Sequence, residues 1–397
     1  MSFLLFLAVN IVYIRHWRDL WIILPISLSI EFIYNKRWRG FQWEKKHWYL
    51  CVVLLYFSLY YLHLPFEETY YRGWQRDLVR NNLQLLVLTY CAFLGFGKEH
   101  KLSYYLNTVI VVAVLSVLYL LFYKIGWRTF INTENKQGIF YASRVEVINH
   151  HMKYNMYLNL ALIAIWYLLS RGYQQMRWWL ISYYVLCFAI LFYVISISEG
   201  RNGFLMSLLI VVFIVFVETW KRKKWLTVVG LVGVLLSAAY IIPQHKKINE
   251  ATLKREPRLF LLDVAKGLIK EKPTWGWGAN EGQYTFTQHR MMHPLCEQYD
   301  GEFWYYGSYM NTDSQYVQTL VEYGVVGLVL LLIIYTMPFF LTQKKQLALL
   351  LIALIAIQAV TQVMMTDDFI PLLMYAVLIL LFFSDDILPQ KRDITTS

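Results

Sequence analysis

Charge is scarce in this sequence: Asp, Glu, Lys and Arg make up 16% of its 397 residues, against 58% hydrophobic and 18% aromatic. A chain so poor in charge cannot cover the surface of a soluble protein of this length, which argues against a soluble enzyme or binding module. Cysteine is scarce too. Of the four, Cys51, Cys91 and Cys187 fall in apolar runs and only Cys296 in a polar segment, so no disulfide framework is expected. No internal repeat and no low-complexity tract occurs. P-loop, dinucleotide-binding and nucleophile-elbow motifs are missing, which argues against a nucleotide-driven pump and a serine hydrolase. The first 14 residues have neither a basic start nor a small-residue cleavage site, so a cleaved signal peptide is not expected there.

What the sequence does have is apolar runs close to the roughly 20 residues needed to cross a bilayer. They cover Asp19 to Tyr34, Trp48 to Leu64, Leu78 to Phe96, Tyr104 to Tyr123, Tyr154 to Leu169, Trp178 to Ile197 and Phe204 to Val217. Four more cover Trp225 to Ile242, Tyr316 to Leu341, Leu347 to Met365 and Ile370 to Phe383, and Met1 to Ile14 is either a further span or an interfacial helix. The expected fold is therefore an all-α polytopic membrane protein of 11 to 12 transmembrane helices forming a single domain over residues 1–397.

Every second connection is basic: Lys36 to Lys46, Lys98 and Lys101, Arg171 and Arg177, Lys221 to Lys224, Lys344 and Lys345, and Lys391 with Arg392. That alternation assigns these loops to the cytoplasm, so the net charge of +11 is a topology signal and no nucleic-acid partner is expected. The connections between them face outward. Among these, residues 244–314 form one large extracytoplasmic loop expected to cap the outer face.

That loop is the place with enough polar side chains to build a reaction site. Helical spacing from Arg258 to Ile269 breaks at Pro273 into a turn with Gly276, Trp277 and Gly278, which either approaches a ligand closely or reverses the chain with its tryptophans at the interface. The row Phe303 to Tyr306 suits sugar stacking and an interfacial belt alike. At the mouth of a span, ISEGRNGF places Glu199, Arg201 and Asn202 between two apolar helices. Arg201 either pairs with Glu199 or uses its planar fork on a phosphate beside the free amides of the helix start. Asp313, where the polar segment enters an apolar helix, is a candidate N-cap and a candidate general base. His289, His293 and Cys296 have ligand-like spacing but no evident fourth partner, so no metal is expected.

SEGRNGF, the segment from Arg258 to Gly278 and DSQYVQTLVEYGVVG, in that order, resemble the bacterial O-antigen polymerase and O-antigen ligase superfamily, over about Glu199 to Leu330. The resemblance implies an inverting, metal-independent, GT-C-like glycosyltransferase of the inner membrane with its site facing the periplasm and no cofactor. Its donor would be an undecaprenyl-pyrophosphate-linked glycan, and a chain-length regulator protein is a candidate partner. Under it, Asp313 is the base, Arg201 and Arg258 stabilise the leaving pyrophosphate, and Arg144, Asn202 and Trp277 contact substrate. Tyr316 and Gln318, on or near one helical face, orient the base or the sugar.

Ligases of that superfamily carry His-Asn where this sequence has Asp313-Ser314, which makes it look more like the polymerase branch. The alternatives are a ligase that transfers the glycan to lipid A core and, from another class, a flippase of lipid-linked glycans. Paired half-repeats expected of many transporters are not seen here.

Overall fold

The computed structural model describes residues 29–30, 32–36, 39, 43, 47–62, 102–134, 136, 151–172, 174, 176–198, 201–220, 224–241, 257–294, 312–361 and 363. Among them every regular element is helical. In chain order these are α1 (His47–Leu62), α2 (Leu102–Leu118, continued by a π-helical turn Tyr119–Lys124), α3 (Trp127–Asn132), α4 (His151–Gly172), α5 (Trp178–Ile197), α6 (Arg201–Trp220) and α7 (Lys224–Ile241). They are followed by α8 (Pro257–Glu271), α9 (Ala279–Met292), α10 (Gln315–Leu341) and α11 (Lys345–Val360).

Four stretches are long and apolar enough to cross a bilayer: Leu102–Lys124, Trp178–Ile197, Asn202–Trp220 and Gln315–Leu341. The chain is an all-α polytopic membrane protein. The expected runs over Leu78 to Phe96 and Ile370 to Phe383, and Met1 to Ile14, lie outside the described residues.

Burial sorts the helices. From Tyr154 to Leu168 every residue of α4 is buried, Asn155 and Asn159 included, and the helix packs against α2, α5, α6 and α11. By contrast α5 leaves Tyr183, Val185, Leu186 and Tyr193 exposed, a surface suited to lipid. Exposed Trp178, Trp179, Trp220 and Trp225 gather where α5 begins, α6 ends and α7 begins, as an interfacial aromatic belt would. Lys224 lies over the Trp220 ring at 5.5 Å, keeping its charge at that edge.

The helices α8 and α9 form a small unit with its own core of Phe260, Leu261, Val264, Ala265, Leu268 and Phe286, completed by Val321 of α10. Through Val321 the unit is fastened to the first half of α10. It corresponds to the helix, turn and following segment expected within residues 244–314.

Candidate active site

At Gly324 α10 is interrupted, with φ 61° and ψ −159°. A break there orphans the amides of Val325 and Val326 and the carbonyls of Val321 and Glu322, which an unbroken helix would pair with one another. The turn between α8 and α9 takes all four. Val325 N–H donates to Pro273 O at 2.9 Å and Val326 N–H to Thr274 O at 3.3 Å, while Trp277 N–H donates to Val321 O at 2.9 Å and Gly278 N–H to Glu322 O at 2.7 Å. Non-helical backbone beside lipid is tolerated only when its polar groups are satisfied by protein, and this docking does so. Gly276, at φ 70°, has to be glycine because a Cβ would stand 2.5 Å from the Glu322 carbonyl. The Gly-x-Gly turn is thus a splice into a broken helix.

About two turns earlier, the start of α10 has its own set of contacts. Ser314 holds the N-cap position of α10 by its backbone, makes no side-chain cap hydrogen bond, and follows Asp313 directly. Asp313 has φ 55°, in the left-handed region that side chains rarely adopt, and is half-buried. Thr312 and Ser314 hold it from both sides. Thr312 N–H donates to Gln318 Oε1 at 3.1 Å, and the Thr312 hydroxyl to Ser314 O at 2.9 Å.

Three elements meet at this end of the bundle. The Ser314 hydroxyl donates to Ala359 O at 3.4 Å and the Tyr316 hydroxyl to Ala356 O at 2.9 Å, tying the start of α10 to the last turns of α11. The Asn202 amide donates to the Thr361 hydroxyl, tying the first turn of α6 to the same place. Behind it, Asn159 Nδ2 donates to Gly203 O at 2.9 Å, and Asn155 packs so close to Gly203 that a Cβ there would stand 2.7 Å from Asn155 Nδ2. Among the described residues, the buried Asn155 side-chain amide has no hydrogen-bond partner.

Residues 186–332 match the family model described as O-antigen ligase. The match supports the O-antigen polymerase and ligase superfamily. It runs from α5 into α10, and so spans Arg201, Arg258, the Gly-x-Gly turn and Asp313. It supports polymerase or ligase activity in general, with lipid-linked glycan substrates and a membrane setting, and does not separate the two. No curated protein matches the chain.

Arg201 opens α6, beside Asn202, and Arg258 is the second residue of α8. Arg144 lies outside the described residues. The Trp277 indole donates to Leu268 O at 3.1 Å, and Lys272 covers its ring at 3.9 Å. Tyr316 and Gln318, expected near one face, are about 200° apart around the helix and go to different partners: Tyr316 to α11, Gln318 to Thr312 and Glu322. His293 pairs with Asp263 at 3.4 Å, while His289 Nδ1–H donates within its own helix to Thr285 O at 2.9 Å.

Sequence reasoning passed over Glu322. It is 3% exposed and accepts from Gln318 Nε2 at 2.5 Å. The available signal was a single carboxylate about two turns into an apolar helix, which is costly unless it has a task.

Proposed function

We propose that this chain is a polysaccharide polymerase that transfers a glycan from undecaprenyl pyrophosphate to a sugar hydroxyl of an acceptor glycan on the periplasmic side of the inner membrane. The observation that carries the reading is the convergence of the first turn of α6 and the Asp313 segment on the end of α11, through Asn202–Thr361, Ser314–Ala359 and Tyr316–Ala356. Segments far apart in sequence, each polar at the edge of an apolar helix, are held there at one end of the bundle.

Outside the cytoplasm no nucleotide sugar is at hand, so the donor arrives lipid-linked with its leaving group activated. The acceptor oxygen attacks the anomeric carbon as the bond from that carbon to the phosphate oxygen breaks, and the configuration inverts. Asp313 takes the proton of the attacking hydroxyl. Arg201 and Arg258 compensate the charge that develops on the departing pyrophosphate, an arrangement that counts most in a site closed to water. Asn202, Trp277 and Arg144 shape the sugar and headgroup contacts, while Tyr316 and Gln318 brace the Asp313 segment from inside the protein. The loop 244–314, with α8 and α9 in it, is the outer cap.

The ligase reading is favoured by the description of the matching family. The polymerase reading rests on Asp313-Ser314 standing where ligases carry His-Asn. Asp313→Asn separates them, because the substitution keeps size and removes proton acceptance. A polymerase so disabled accumulates a single lipid-linked repeat unit in the membrane. A disabled ligase leaves long polymer on undecaprenyl pyrophosphate and none on lipid A core. Electrophoresis of the lipid-linked fraction from a complemented deletion strain reads the outcome, and long chains there would overturn the polymerase.

A further inference from the structure

Gln318 has both halves of its amide occupied inside the protein. Its Oε1 accepts the Thr312 amide at 3.1 Å, and its Nε2 donates to Glu322 Oε1 at 2.5 Å. With the oxygen committed to Thr312, only N–H groups are left to face Glu322, so an acceptor at that position selects one of the two amide orientations. All three residues are buried. Asp313 follows Thr312 directly and holds a left-handed φ of 55°, a conformation that persists only when its surroundings enforce it.

Glu322 also belongs to the splice. Its carbonyl accepts Gly278 N–H at 2.7 Å, and Gly282 of α9 faces it so closely that a Cβ there would lie 3.4 Å from the Glu322 Cα and Cγ. One residue therefore touches the turn, α9 and, through Gln318, the backbone next to Asp313.

We infer that Glu322 is a positioning residue: as a hydrogen-bond acceptor it fixes the Gln318 amide, and through Thr312 it holds Asp313 in its working conformation, linking that conformation to the docked α8–α9 turn. The inference rests on the reading of Asp313 as the base. A positioning role needs reach and an acceptor; a proton-transfer role needs a carboxyl. Those requirements are opposed in two conservative variants. Glu322→Gln keeps length and offers a carbonyl oxygen to Gln318, whereas Glu322→Asp keeps the carboxyl and is one methylene too short.

The full chain, purified and reconstituted, is assayed with lipid-linked glycan extracted from membranes of a strain deleted for it. Glu322→Gln is expected within about threefold of the parent in kcat, and Glu322→Asp roughly ten- to hundredfold lower with KM for the donor unchanged, the scale of a small misplacement of a reacting group. Rates are taken per folded molecule, so a role in stability alone moves neither. Should Glu322→Asp fail to accumulate, Glu322→Met replaces it with the same expected loss. The reverse order, Asp active and Gln inactive, overturns positioning in favour of proton exchange at Glu322. An unchanged kcat in the Asp or Met variant overturns the link to Asp313. Asp313→Asn is run alongside: if it is active, the base reading falls and takes this inference with it, whereas an inactive Asp313→Asn beside a fully active Glu322→Met sinks the inference alone.

Discussion

Gly278 gives its backbone amide to the Glu322 carbonyl at 2.7 Å, filling an acceptor that the break at Gly324 removes from the α10 ladder. Two motif segments forty-odd residues apart are thereby one structure. The glycines of both let two backbones approach.

Gly324→Ala is the sharpest test of the splice. The position has φ 61°, and an added Cβ would collide with the backbone of Thr274 and with Pro273 O. Strain of about 1–3 kcal/mol from the dihedral alone, with the clash added, should lower the thermal midpoint of the purified protein and undock the turn. Limited proteolysis within 272–278 should speed up in the same variant. A variant that melts and is cleaved like the parent would mean the junction is not held together this way.

Arg201→Lys retains the charge and loses the bidentate fork. Because Arg201 opens α6 next to Asn202, whose amide is bound to Thr361, the substitution should leave insertion intact while lowering glycan transfer by roughly tenfold or more. Product per molecule of inserted protein, read by electrophoresis, checks it; normal product removes Arg201 from the site.

For Arg258→Ala the expectation is a combined defect. Weaker donor binding and slower leaving-group departure should appear together, on the order of 10²-fold in kcat/KM, if the residue faces the pyrophosphate. A change confined to protein abundance would make it a structural residue of α8.

Tyr316→Phe deletes only the hydroxyl that donates to Ala356 O at 2.9 Å between α10 and α11. Interhelical bonds of this kind inside membranes are worth about 0.6 kcal/mol on average, so a small loss of stability is expected with most activity kept. If instead transfer collapses without a change in the melting curve, the hydroxyl acts on substrate and the helix contact is secondary.

Much of this protein was legible without coordinates. Long apolar runs leave only helices as spanning structures, because a backbone in lipid must satisfy its own hydrogen bonds; the helices at Trp178–Ile197, Arg201–Trp220 and Gln315–Leu341 fall where the hydropathy put them. The helix followed by a turn with Pro273 and Gly276 in 257–278 was also a local pattern, and the superfamily resemblance lay in three segments taken in order. What the tertiary structure decided is which polar groups meet. That Tyr316 reaches Ala356 of α11, that Asp313 takes a left-handed φ of 55°, and that Glu322 is buried against Gly278 and Gly282 depend on how the helices pack and on partners far away in sequence. The Gly-x-Gly turn gave no local sign of its destination either. Its hydrogen bonds exist only because α10 breaks at Gly324, and a glycine's tolerance of positive φ says that a chain can turn there, not what it will dock against.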